Sequence, residues 1–253
     1  MKKILYWIVA GCVFCFPAMA EEKPEVLFEA NFDQGTSANI ANAEGAMLRG
    51  SAVTTSDQSG RNGGEALQVG KEQDTPYRTA EYDRFQNIVF SEGTVELWYR
   101  PDFEREDPRA LRYLFDLPSD ALSAQETKLR TLLVLTGNEG ELIFRAFVGD
   151  SENQQLIASV DWVPGEWHHI ALTWDAQEAR LFLDGRKMAS HPIQNGLFSG
   201  EQDVLDQVST SFGIGGLILS DGSVSADGLI DDFRIWNKAI YLDDFTPEDA
   251  GVR

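Results

Sequence analysis

The stretch Gly165–Gly185, GEWHHIALTWDAQEARLFLDG, constrains the fold of this chain more than any other. Apolar residues recur at period two on both sides of a short polar connection, and Asp184-Gly185 ends the segment with a dipeptide that tolerates positive φ. In the first run Ile170, Leu172 and Trp174 share one face, while His169, Ala171 and Thr173 share the other. In the second run Leu181 and Leu183 alternate with Arg180, Phe182 and Asp184. The pattern predicts an antiparallel hairpin, connected through 175–178, with one side in a core. His168 and His169 are neighbours on a strand, so they point to opposite faces and cannot ligate one metal ion.

Similar alternation continues along the chain. Strands are expected at Leu27–Phe32, Ala46–Leu48, Ala66–Val69, Thr79–Phe85, Gly93–Pro101, Tyr113–Leu117, Arg130–Leu135, Glu141–Val148 and Gln155–Val160. Within Gly93–Pro101, Val95, Leu97 and Tyr99 alternate with Glu96, Trp98 and Arg100, and Pro101 ends the strand. Residues 104–110 read as an exposed charged segment, 118–127 as a loop or one helical turn, and 196–207 as a loop packed over the strands. Thr246-Pro247-Glu248-Asp249 has the cap, proline and acidic residues of a short helix start. Many short strands with regular turn signals point to a sandwich. No second domain, fixed-period repeat or low-complexity linker interrupts residues 21–253, which are expected to form a single domain.

Four segments, in order, carry a family resemblance: Leu27–Asp33 (LFEANFD), Gly93–Phe103 (GTVELWYRPDF), the hairpin, and Phe212–Gly216 with Gly228–Ile240 (GLIDDFRIWNKAI). Together they resemble the laminin-G-like jelly-roll domains of the concanavalin A-like lectin/glucanase superfamily. The resemblance implies an all-β fold, an antiparallel jelly-roll β-sandwich. It also implies a non-catalytic binding module with carbohydrate as the usual ligand. Two other classes stay open: an adhesion or scaffold module with a protein partner, and a divergent glycosidase or polysaccharide lyase.

The first twenty residues read as a leader outside the fold: Lys2 and Lys3, an apolar run from Ile4 to Phe16, and a small-residue cleavage site at Ala18-Met19-Ala20. The run is too short to span a bilayer, so no transmembrane segment is expected after cleavage. Val9-Ala10-Gly11-Cys12 offers an alternative, lipidation at Cys12, but the apolar run continues past it. Either way the chain is expected to be exported, to the periplasm or beyond. Both cysteines, Cys12 and Cys15, lie in the leader, so cleavage after Ala20 leaves no disulfide to stabilise the fold. Loss of Lys2 and Lys3 takes the formal net charge from −20 to −22. Such a charge disfavours nucleic acid and anionic membranes as partners and suits neutral or cationic glycans better than polyanions.

Catalytic signals are weak. Glycoside hydrolysis usually needs two carboxylates across the scissile bond. Glu81-Tyr82-Asp83-Arg84-Phe85-Gln86 approaches the one-strand Glu-x-Asp-x-x-Glu arrangement of laminarinase-type relatives, but its last position is an amide. The remaining histidine, His191, has no companion motif, and no Gly-x-Ser-x-Gly elbow occurs. No catalytic residue is assigned.

The closing strand is more informative. Asp231 shares parity with Phe233 and Ile235, so it is expected to point inward, where a carboxylate must be paired, hydrogen-bonded or metal-bound. Asp33 supplies a second carboxylate just after the first strand. Similar jelly-roll domains carry a structural calcium ion where first and last strands meet, and oxygen-only ligation suits calcium. Asp231 and Asp33 are therefore the metal candidates, the alternative being that Asp231 caps backbone N–H groups in a turn. Of the five tryptophans beyond the leader, Trp174 belongs to the core face. Trp98 shares a polar face with Glu96 and Arg100, suited to a shallow groove. No sugar-binding residue is assigned from sequence.

Overall fold

Period-two alternation becomes strand after strand in the computed structural model, which describes residues 23–70, 79–103, 111–118, 130–138, 141–147, 155–194, 196–197, 211–217 and 225–247. The leader with Cys12, the charged segment 104–110, most of 118–127 and 196–207, and the helix start beyond residue 247 lie outside the described residues. In chain order the strands begin with β1 (Val26–Ala30), β2 (Ile40–Ala41), β3 (Arg49–Gly50), β4 (Val53–Thr54), β5 (Leu67–Val69) and β6 (Ala80–Asp83). There follow β7 (Gly93–Pro101), β8 (Leu111–Pro118), β9 (Arg130–Asn138), β10 (Glu141–Phe147) and β11 (Gln155–Val160). The chain closes with β12 (His168–Trp174), β13 (Glu178–Leu183), β14 (Arg186–Pro192), β15 (Ser211–Ile214) and β16 (Gly228–Trp236).

These strands form an antiparallel jelly-roll sandwich. The first sheet runs β14-β13-β12-β7-β16-β1-β2, with β5 also on β16 and β4 on β5. The second runs β11-β10-β9-β8-β15-β6-β3. The first and last long strands are neighbours, Phe28 opposite Ile235 and Ala30 opposite Phe233. Between the sheets Phe28 meets Tyr82 and Phe212 edge-on at 5.1 Å each, and Phe212 stacks on Phe233 at 6.0 Å. Ile170, Leu172, Trp174, Leu181 and Leu183 join this core, as the hairpin pattern requires.

The hairpin register pairs Ile170 with Leu183 and Leu172 with Leu181. Asp175 shapes the connection by accepting the Gln177 and Glu178 N–H groups at 2.8 and 3.0 Å. At the far turn Asp184 and Gly185 take φ of 50° and 77°, the twist a two-residue hairpin turn needs. The expected strand at Ala46–Leu48 is displaced to β3, at the edge of the second sheet. β14, whose residues are mostly exposed, carries no apolar alternation and is not read from sequence.

The outward side of β7 organises the first sheet. Thr94, Glu96, Trp98 and Arg100 all project away from the core, yet Glu96 is only 1% exposed. Beyond β16 the chain turns back as a strap, residues 237–247, across β7 and the hairpin. The strap is anchored by Thr94 Oγ1 on the Lys238 carbonyl (2.8 Å) and by the Phe245 N–H on the Gly185 carbonyl (2.8 Å). A side chain at Gly185 would run into the Phe245 carbonyl. Tyr241 and Phe245 bury Ala171 and Phe182 in a second small core. Beneath the strap, Glu96 accepts hydrogen bonds from Trp236 Nε1 (2.8 Å) and the Tyr241 hydroxyl (2.7 Å), and His169 Nε2 lies 3.1 Å away.

Burial alone would push the Glu96 carboxyl up. The hydrogen bond and charge of His169, with Tyr241 and Trp236, outweigh it and hold Glu96 below its ordinary value. A carboxylate depressed in the folded state contributes stability above its unfolded value of 4.5, and that stability is lost as pH falls below it. Glu96→Gln should cost about 2–3 kcal/mol in urea unfolding, and Glu96→Leu, which orphans the donors, about 3–5 kcal/mol. The Glu96→Gln deficit should shrink as the titration is carried below about pH 4.5; a deficit that stays constant would refute the assignment.

Candidate functional site

The outward face of β7 continues past the strap to a corner built by β1, β16 and the loop between β4 and β5. Here β16 departs from the parity expected of it. Asp231 pairs with Trp98 and Arg234 with Glu96, so Asp232 and Phe233 together oppose Leu97. Asp232 takes φ of 47° to accommodate this bulge. Ile230 and Phe233 both face the core, and Asp231 falls on the outer face beside Trp98. The inward direction expected for Asp231 is thus corrected: the inserted residue reverses parity at the start of the strand.

Asp231 is nevertheless buried, because the loop folds over it. One carboxylate oxygen accepts the Arg61 N–H and the other the Asp232 N–H, each at 2.8 Å. The capping role left open by the sequence is therefore present. The Arg61 guanidinium bonds Asp232 through Nη2 at 2.9 Å and lies 4.2 Å above the Trp98 ring. Asp33, exposed at the end of β1, accepts the Glu65 N–H at 3.0 Å and the Asn31 side-chain amide at 3.3 Å. A Cβ at Gly64 would displace the Asp33 carboxylate from its present position. The two metal candidates therefore grip one loop from either side, Asp231 at Arg61 and Asp33 at Glu65. Burial, then the negative charges of Asp232 and Asp33, push Asp231 up to about 6 against the opposing N–H bonds. Among the described residues no three carboxylate, imidazole or thiol side chains converge as metal donors.

Beyond the corner the outer face opens into a shallow polar groove of about 440 Å³, with Thr55 and Asp57 on one side and Arg100 and Asp102 on the other. Its floor follows the ladder across four strands: Val53 opposite Gln68, Gln68 opposite Leu229, Leu229 opposite Arg100. Arg100 donates to the Ser59 carbonyl at 3.3 Å and lies 5.6 Å from the Trp167 ring. Its buried Nε has a 3.5 Å ion-pair contact with Asp102 and no hydrogen-bond acceptor.

The polar face expected around Trp98 is thus divided. Glu96 lies under the strap, Trp98 under Arg61, and Arg100 alone reaches the groove. His168 stacks on Trp162 at 4.4 Å and pairs with Asp184 at 2.9 Å, on the face opposite His169. His191 sits apart on β14. Glu81 bonds Arg49 at 2.8 Å, Asp83 caps the Phe85 N–H at 2.7 Å, and Gln86 occupies a turn with φ of 60°. The Glu-x-Asp-x-x-Gln run is therefore not one straight strand face. Arg100, placed with Trp98 on a polar face suited to a groove, does line it, whereas Arg61 and Gln68 carry no such signal in the alternation of their segments. The signal for Arg61 was its place in Gly60-Arg61-Asn62-Gly63-Gly64, where glycines let backbone N–H groups approach a carboxylate closely.

The sequence model of the concanavalin A-like lectin/glucanases superfamily matches residues 72–244. Mouse (Mus musculus) pappalysin-1 is 24% identical over 152 residues, which cover 58% of this chain and 9% of that protein's length. Among solved structures, domain 4 of AbnA, a GH43 extracellular arabinanase from Geobacillus stearothermophilus in complex with arabinotriose, is similar at 18% identity. Its TM-score is 0.58, over 87% of this chain and 96% of that one. The CBM40 of the Ruminococcus gnavus IT-sialidase is 17% identical with a TM-score of 0.47, over 69% of this chain and 92% of that one.

The raised Asp231 gives a signed expectation for the metal-free protein. The folded chain holds the proton more tightly than the unfolded one. The contribution therefore favours folding at low pH and is lost as pH rises through about 6. In the presence of chelator, Asp231→Asn should gain on wild type by about 2 kcal/mol between about pH 4 and pH 7.5. A difference that does not change with pH would refute this.

Proposed function

Because the chain belongs to the concanavalin A-like lectin/glucanases superfamily, we propose that it is an exported, non-catalytic module that binds carbohydrate. The observation that carries this reading is the open groove on the first sheet. Exposed, apolar Val53 lies there with the amide of Gln68 and the guanidinium of Arg100, the row passing over buried Leu229. Sugars present C–H faces and hydroxyl edges, so such a floor offers them both apolar contact and directed hydrogen bonds. The arabinanase domain, similar over most of its length, is itself in complex with arabinotriose, which supports the ligand class. The groove's carboxylates suit binding better than catalysis: Asp57 accepts the Ser59 hydroxyl at 2.7 Å, and Asp102 pairs with Arg100. Export rests on the leader, from Lys2 to Ala20.

The corner beside the groove fits a calcium ion in its chemistry. Asp231 and Asp33 offer oxygen donors, and a cation would favour the ionised form of Asp231, which burial and then the charges of Asp232 and Asp33 disfavour. Asp231 with Asp33 would be the protein's share of that site, completed by backbone or water oxygens.

A glycan array probed with residues 21–253, with and without calcium, should show binding to at least one saccharide class; silence in both conditions would overturn the carbohydrate reading. Calcium at saturating concentration should raise the melting temperature by roughly 5 °C over the chelated protein, and Asp231→Ala should abolish the rise. An unchanged melting temperature would remove the metal.

A further inference from the structure

We infer, resting on the carbohydrate reading above, that the groove takes a neutral oligosaccharide laid across the strands and turns away acidic ones. The row Val53, Gln68, Leu229, Arg100 crosses β4, β5, β16 and β7 in register. At ordinary strand spacing it is about 14 Å long, more than one sugar ring fills. A chain lying along the row meets exposed Val53 at one end, Gln68 beside it and Arg100 at the other end, so successive rings gain contacts that a monosaccharide lacks.

The charge around the row selects the occupant. Arg100 is the groove's cation, and it is already held by Asp102 at 3.5 Å and by the Ser59 carbonyl at 3.3 Å. Its side chain is still 23% exposed at the groove, where a sugar hydroxyl can accept from the guanidinium without bringing charge. A uronate or sulfate would instead place its anion near Asp57 and Asp102, both exposed, in a protein of formal net charge −20. Like charges brought together at a partly desolvated surface repel strongly. The guanidinium thus serves as a hydrogen-bond donor here, not as an anion hook.

Calorimetric titration of the exported chain tests this with neutral gluco-, xylo- and arabino-oligosaccharides of increasing length and with oligogalacturonates of matched length. Neutral trisaccharides should bind at least about 10-fold more tightly than their monosaccharides and than matched acidic chains. Gln68→Ala, and independently Val53→Lys at an exposed site, should each weaken neutral binding at least about 5-fold, with melting temperature confirming that each variant folds. Asp57→Asn combined with Asp102→Asn should raise affinity for the acidic chains. Acidic chains bound as tightly as neutral ones would overturn the selectivity. Neutral binding untouched by both Gln68→Ala and Val53→Lys would move the ligand away from this groove. If no saccharide of either kind binds, the carbohydrate reading itself fails and this inference with it.

Discussion

One buried carboxylate on the outside of the first sheet, Glu96, sets the architecture of that sheet's outer face. It belongs to the solvent side of β7 by parity, yet it can be buried only with its lone pairs satisfied. Trp236 and Tyr241 donate to it from the closing strand and the strap, and His169 from the hairpin. That convergence fastens the strap over Ala171 and Phe182. The same strand then hands Trp98 to Arg61 and Arg100 to the groove. Where the strap and the loop stop covering this part of the first sheet, the groove begins.

The corner between them has a further part in that arrangement. The loop that forms the groove's wall at Asp57 and Ser59 is tied down at Arg61 by Asp231 and Asp232, and at Glu65 by Asp33. A wall anchored this way is ordered before any ligand arrives, so binding spends less free energy on ordering it. Strained positions at Phe32 and Asp232, with φ of 59° and 47°, aim the chain at the corner from both β1 and β16. Such strain persists only where surrounding contacts over-determine it.

The fold was legible wherever one face of a strand is core and the other is not. The hairpin and its Asp184-Gly185 turn follow from alternation that water enforces, while the pairing of first with last strand is what the family resemblance implies. The site was less legible, for two physical reasons. Parity is a counting rule, and one extra residue at Asp232 reverses it without any change in residue type to announce it; Asp231 was found as an anomaly but pointed the wrong way. Burial of an outward residue depends on what crosses above it from elsewhere in the chain. Glu96 and Trp98 looked like open surface because neither the strap nor the Arg61 loop is local to them. Arg100 and Gln68 are ordinary outward residues of their strands, and only the pairing of β4, β5, β16 and β7 sets them in one row.

The strap also decides how the molecule bears load. It leaves β16 at Trp236 and crosses the first sheet to the hairpin turn, where Phe245 bonds Gly185 and its ring stacks on Tyr241 at 3.6 Å. Tension applied to the chain beyond residue 247 meets that far anchor first and must peel the strap away before it reaches the β16 ladder. On the other side, Asn237 and Glu25 exchange hydrogen bonds of 2.8 and 3.0 Å, tying the start of β1 to the end of β16. Load entering from the strap side is therefore taken up first by a surface band, while load on the other side reaches β1, and with it the sandwich, as soon as the Glu25–Asn237 tie gives way.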